Sequence, residues 1–209
     1  WPASMGLTAL GSTGAAQNAA TPSISYEAAR ASRYFKRTCI AAALGMTAHV
    51  GGQIHLFNLL QDQRASTALA AGAIAIMATA SVLARFVYIR CIARLGNLGV
   101  LALLLVVQGQ ALIGLGAAQV TALQLLCIVA YGSTLGSFIT QQSLVISEAF
   151  GAAIYGRLYG LTRLWAMPGG LIGPTLMGWL HASSGGYALP YAAIGGLSLL
   201  GAVVLWGAD

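Results

Sequence analysis

Six long runs of apolar residues, separated by short polar connections, occupy most of the chain. They cover approximately Thr38–Leu60, Ser66–Ile89, Leu98–Ala118, Thr121–Ile146, Tyr155–Leu180 and Tyr187–Trp206. Each holds the roughly 20 residues that a helix needs to cross bilayer hydrocarbon, so the pattern predicts six transmembrane helices in an all-α polytopic membrane protein. The short connections suit antiparallel neighbours in a bundle. Residues 11–37 are rich in Ser, Thr, Ala and Asn and then turn basic, which predicts a polar linker and not a span. The expected division is therefore 1–37, a preceding helix end plus linker, and 38–209, a six-helix bundle.

Composition agrees with this pattern. Of 209 residues, 58% are hydrophobic and only 7% charged, whereas a soluble domain carries about a quarter charged residues. The formal charge of +6 does not point to nucleic acid, because the basic residues flank apolar runs instead of forming a stripe with interleaved aromatics. Contact with anionic lipid headgroups is the natural use of such charges. Cys39, Cys91 and Cys127 are widely spaced and lie in or beside apolar runs, so neither a disulfide framework nor a metal site is expected. Trp1–Gly14 is weakly apolar without a basic segment, unlike a signal peptide. It reads as the end of a helix that began upstream, and the chain as a fragment.

Lys and Arg positions predict an orientation. Arg30, Arg33, Lys36 and Arg37 precede the first run, Arg90 and Arg94 follow the second, and Arg157 follows the fourth; Arg64 alone occupies a connection of opposite parity. The positive-inside bias places the linker, the second-to-third connection and the fourth-to-fifth connection in the cytoplasm. Six crossings return Asp209 to that side, in a bacterial-type inner membrane.

Small residues at i and i+4, as at Gly132/Gly136 and Gly169/Gly173, let helices approach closely where no hydrophobic force draws them together. Pro168 and Pro174 interrupt the fifth run and predict a kink facing protein or a water-filled cavity, with a purely structural kink as the alternative.

Two cations lie inside runs. Arg85 sits about five residues from the cytoplasmic end of its run, roughly 7 Å deep. A charge within a span points to function, and snorkelling to the headgroups is the competing reading. Tyr155, Tyr159 and Arg163 follow i, i+4, i+8 and so share one face. Guanidinium binds carboxylate bidentately, so this face suits an organic anion; an interfacial aromatic belt is the alternative. No acid lies within any run, and two cations without an internal counter-charge argue for an anionic substrate. His49 and Gln53 stand one turn apart in the first run, with His55 nearer its outer end. Either histidine could carry a proton or tie two helices together. Gln108, Gln110, Gln141 and Gln142 are amides with the same two options. No nucleophile–base pattern, phosphate loop, dinucleotide fingerprint or metal cluster occurs, so no enzyme and no cofactor are expected.

Several stretches resemble the major facilitator superfamily of transporters. Glu148-Ala-Phe-Gly-Ala-Ala-Ile-Tyr-Gly-Arg-Leu-Tyr-Gly, then Gly169-Gly-Leu-Ile-Gly-Pro-Thr-Leu-Met-Gly-Trp-Leu and Gly185-Gly-Tyr, look like its helices ten to twelve. Ser32-Arg-Tyr-Phe and His55-Leu-Phe-Asn-Leu-Leu resemble the linker end and seventh helix. Val82-Leu-Ala-Arg-Phe-Val-Tyr-Ile-Arg-Cys-Ile-Ala-Arg-Leu-Gly resembles the end of helix eight and its loop. The match runs from about Tyr26 to the C-terminus and is nearest the monocarboxylate porter and oxalate/formate antiporter branch. It implies one half of a 12-helix fold, with a substrate path between halves and alternating access. It also implies that Arg85, at the helix-eight arginine position, contacts substrate carboxylate. Two acids of the pattern are replaced, by Ala93 beside the retained Arg94 and by Ser81, which removes the usual basis for proton coupling through this half.

The expected function is thus secondary transport of small mono- or dicarboxylates. Arg85, Arg163, His55, Tyr159 and Gln53 would bind substrate, and His49 or His55 would move protons. The expected partners are membrane lipid, the substrate and a missing six-helix half. Drug or metabolite efflux within the same superfamily, and a non-transporting six-helix module, are the alternatives.

Overall fold

A computed structural model describes residues 25–206 of the chain. Trp1–Gly14, most of the expected linker and Asp209 lie outside the described residues. Within them the chain is almost wholly helical: α1 Tyr26–Ala31, α2 Arg33–Asp62, α3 Thr67–Ala117, α4 Thr121–Phe150, α5 Ala152–Ser184 and α6 Ala188–Trp206. Three of these, α3, α4 and α6, are long and apolar enough to cross a membrane. Helices α2 and α5 are just as extended, but their apolar residues are diluted by Gly, His, Gln and Arg.

Local chemistry explains the starts. Ser25, Ser32 and Ser66 each accept a hydrogen bond from the backbone N–H three residues on, capping α1, α2 and α3. Ser32 also ends α1, so a single residue divides the two helices.

The second and third apolar runs form one continuous element, α3, interrupted only at Gly96 (φ 67°, ψ 175°). That backbone conformation is essentially restricted to glycine, and Gly151 between α4 and α5 adopts nearly the same one (φ 73°, ψ 168°). The chain folds back at Gly96. Leu69 and Leu112 belong to one buried cluster, although a straight helix would part them by roughly 65 Å. Tyr88, Val100 and Leu104 likewise pack together across the turn.

The expected connections are more helical than the apolar runs indicate. Arg33, Lys36 and Arg37 lie in the first turns of α2, Arg90 and Arg94 extend the first arm of α3, and Arg157 lies in α5. Lys and Arg are good helix formers, so backbone hydrogen bonding outlasts the apolar stretch. Arg85 stands eleven residues before Gly96, roughly 16 Å along the axis from the turn. Helix α5 continues through both prolines.

Helix pairing is not that of chain neighbours. Helix α2 packs mainly on α5 and α6, α4 mainly on α3, and α3 on α6, while α4 and α5 touch little despite their one-residue connection. Glycines mark the closest approaches. A Cβ at Gly132 would meet the Met77 Cα at 2.6 Å, and one at Gly169 would meet Thr47 Oγ1 at 2.8 Å. Gly109 and Gly195 face each other, a Cβ on either falling 2.7–2.8 Å from the other's carbonyl oxygen. Two three-helix units emerge: α2 with both arms of α3, and α4 with α5 and α6. The first helix of each packs on the middle helix of the other, and the third helices meet at Gly109 and Gly195.

Interlocked units fill the core with Leu56, Leu59, Met77, Leu112, Tyr131 and Tyr191, all 2% exposed or less. The outer surface keeps large apolar side chains, among them Leu171 (76% exposed) and Trp206 (87%). A surface of that kind is compatible with lipid.

Candidate functional site

Helix α4 carries small and polar residues on one exposed or half-exposed face, Gly136, Thr140 and Ser143, at i, i+4 and i+7. Its two neighbours reach this face from opposite sides. From the first arm of α3, the Arg85 guanidinium lies over Gly136, where a Cβ would stand 2.6 Å from Nη2. From α5, the Tyr155 hydroxyl meets Ser143 Oγ at 2.6 Å. Arg163, further along α5, donates from Nη1 to Gln142 Oε1 at 3.2 Å.

Arg85 opens into a cavity of about 160 Å³ lined by Tyr88, Ser137, Thr140 and Gln141 among others. Ser137 is 7% exposed and its buried hydroxyl has no hydrogen-bond partner; the buried Gln142 Nε2 is likewise unpartnered. Neither arginine meets a carboxylate among the described residues. The nearest acid on α4, Glu148, is held by Asn97 Nδ2 at 2.7 Å. Asn97, in the α3 turn, also accepts two hydrogen bonds from Gln141 Nε2, at 2.7 Å through Oδ1 and 2.9 Å through its carbonyl. The result is a recess holding one guanidinium and one spare hydroxyl, with no carboxylate in its lining among the described residues; Arg163 and Gln142 lie outside it.

The expected shared face of Tyr155, Tyr159 and Arg163 is present. The two rings stack at 5.5 Å with 9° between planes, and the face turns toward α4. Tyr159 itself packs in an apolar cluster with Phe35 and Leu158. Gln53 is exposed on α2.

Both histidines are engaged in joining helices. His55 Nε2 lies 3.2 Å from the Pro174 carbonyl, which can only accept, and Nδ1 lies 3.4 Å from the Tyr187 hydroxyl. The ring therefore ties α2 to α5 and to the start of α6. His49 is 7% exposed and stacks on Phe138 at 5.8 Å. Its Nδ1 meets Gln108 Oε1 at 3.4 Å, and Gln108 Nε2 donates to Gly45 O and Ser198 Oγ. Tyr131 donates to the His49 carbonyl. His49 is thus central to a four-helix polar network. Neither histidine shares the Arg85 cavity.

Ser137 and Thr140 carried no sequence signal, because a lone hydroxyl in a Gly-rich apolar run has many structural uses. Ser81, which stands where the resemblance expects an acid, accepts from Gly136 N–H at 3.0 Å and helps dock α3 on α4. No cluster of three metal-ligating side chains occurs among the described residues.

The fold and recess define a class: an all-helical bundle, compatible with a membrane, with a recess that holds the Arg85 guanidinium beside hydroxyl and amide groups. No family model matches the chain, and no curated protein matches it.

Proposed function

We propose that the chain is one half of an alternating-access carrier for small organic anions, with α2, the two arms of α3, α4, α5 and α6 as its six spans. The observation that carries this reading is the Arg85 guanidinium, which meets no carboxylate among the described residues and shares a recess with the unpartnered Ser137 hydroxyl; Arg163, outside that recess and bonded to Gln142, is a second candidate contact. Arg85 is exposed in the bundle taken alone; within a membrane such a cation is costly unless an anion joins it, and a bound carboxylate would satisfy Arg85 and the unpartnered Ser137 hydroxyl of the same recess.

Two further features support transport. Three-helix units joined by exchange of their first and middle helices are the arrangement expected of inverted repeats, each unit having an odd number of crossings. The cations of α1, the start of α2, the Gly96 turn and the start of α5 gather at one end of the bundle, as the Asn97–Glu148 bond and the Ala29–Ile146 cluster show. Arg64 stands at the other. By the positive-inside bias the basic end is cytoplasmic.

Uptake of labelled mono- and dicarboxylates by cells expressing the complete reading frame tests this. Arg85→Gln and Arg163→Gln should each raise the half-saturating concentration roughly tenfold to a hundredfold, the weight of a charge-assisted contact of about 1.5–3 kcal/mol. Lys at either position should recover part of it. Unchanged uptake in both Gln variants rejects the arginine clamp. Movement of apolar cations or neutral drugs instead would favour the efflux reading, and no transport at all the non-transporting module.

A further inference from the structure

On the flank of α5 turned away from Arg163 lies a groove of about 330 Å³, walled by Phe35, Cys39, Ile40, Leu161 and Trp165 and rimmed by Arg30 and Lys36. Leu161 and Trp165 stand one turn apart, and at 100° per residue Trp165 projects some 200° from Arg163. The groove therefore opens outward and not toward Arg163. Helices α2 and α5 run parallel here: Cys39 meets Thr162, and Gly169 meets Ala43 and Thr47. Trp165 thus lies roughly 8 Å deeper than Lys36.

The two ends of the groove differ in chemistry. At the shallow end both cations are exposed, and neither meets an acidic group among the described residues. At the deep end Ile40 and Trp165 are 45% and 57% exposed, an apolar surface that no element among the described residues covers. Helix α1 overhangs the shallow end. It is pinned there by Ala29 against Ile146 and Leu158 and by the Arg157 guanidinium lying 3.8 Å over the Tyr26 ring.

We infer that this groove is a binding site for an anionic phospholipid, with the headgroup phosphate between Arg30 and Lys36 and the upper part of one acyl chain along Ile40, Leu161 and Trp165. A negative group above an apolar tail is the one amphiphile geometry that satisfies both ends, and basic recesses between helices at the cytoplasmic face favour such headgroups. A bound lipid would bridge α1, α2 and α5, and so couple the approach to the bundle to the helix that carries Arg163. The inference rests on the membrane placement of the bundle and does not require that it transports anything.

Trp165 reports the occupant directly. In the variant Trp1→Phe/Trp179→Phe/Trp206→Phe, Trp165 is the sole tryptophan. The full chain is reconstituted in vesicles, where shallow brominated phosphatidylglycerol is compared with brominated phosphatidylcholine at equal mole fraction. Quenching by phosphatidylglycerol should exceed that by phosphatidylcholine about tenfold in effective affinity. The preference should vanish in Arg30→Gln/Lys36→Gln and persist in Arg90→Gln, whose cation lies elsewhere. Equal quenching by the two lipids, or a preference that survives loss of both cations, overturns the headgroup site. No quenching by either lipid means that another segment covers the groove or that the bundle is not in lipid, and also overturns it.

Discussion

Replacing Gly132 with Ala tests the packing that sets Arg85 over α4. The added Cβ would stand 2.6 Å from the Met77 Cα and 2.9 Å from its carbonyl oxygen. Both are backbone atoms, so no side chain can swing aside, and α3 must withdraw from α4 by about 0.8 Å to reach an ordinary contact near 3.4 Å. The same withdrawal stretches two interhelical hydrogen bonds beyond useful length: Gly136 N–H to Ser81 Oγ, now 3.0 Å, and Tyr88 hydroxyl to Ser133, now 3.1 Å. In a bilayer such bonds are worth about 0.6 kcal/mol each, and overpacking costs about 1–3 kcal/mol. The better helix propensity of Ala returns about 1 kcal/mol. The net loss is about 1–3 kcal/mol. Gly178→Ala is the matched control, since a Cβ there meets nothing within 4 Å and only the propensity gain remains. Unfolding of both variants by titrating denaturing detergent into mild-detergent micelles reads the difference directly. Gly132→Ala should unfold well before the parent, and Gly178→Ala at or after it. Equal stability of the two variants would refute the close crossing of α3 and α4, and with it the placement of Arg85 over Gly136.

Other consequences can be measured in the same preparations. Gly96→Ala forces a side chain into φ 67°, ψ 175°, which costs about 1–3 kcal/mol; it should lower the unfolding midpoint although a Cβ there meets no atom within 4 Å, and an unchanged midpoint would mean that the turn is not built this way. Gln108→Leu removes the partner of His49 Nδ1 and two further interhelical bonds, and should cost about 1–2 kcal/mol by the same titration; no loss would exclude the four-helix network. Single cysteines placed at Arg94 and at Arg64, in a background where Cys39, Cys91 and Cys127 are Ser, should react with an impermeant maleimide from opposite sides of sealed vesicles. Labelling of both from one side would contradict the proposed topology.

How much of this was readable from the chain depends on whether a feature is local. Each apolar run lies within a helix because crossing length and apolarity are properties of consecutive residues. The helix ends were not readable: hydropathy marks where an apolar surface stops, whereas Arg90, Arg94 and Arg157 prolong the backbone hydrogen bonding into polar surroundings. The face shared by Tyr155, Tyr159 and Arg163 follows from helical period alone. Its acceptor, Gln142, does not, since that pairing depends on the one-residue turn at Gly151, whose positive φ folds α5 back beside the end of α4. The GxxxG pairs likewise announced close approach without naming a partner. Gly132 and Gly136 receive α3, and Gly169 and Gly173 receive α2, because each unit lends its first helix to the other's middle helix. This exchange also explains why His49 and His55 were the least legible residues. His49 and His55 both lie on α2, the helix most surrounded by the opposite unit, where a polar ring finds partners on α3, on α5 and just before α6. Arg85 stands on the first arm of α3, on the flank of α4 that α5 leaves open, and no such acceptor reaches it. Position within the exchange, more than residue type, therefore decides which polar groups on these helices are consumed by packing and which, like Arg85, keep no side-chain partner among the described residues.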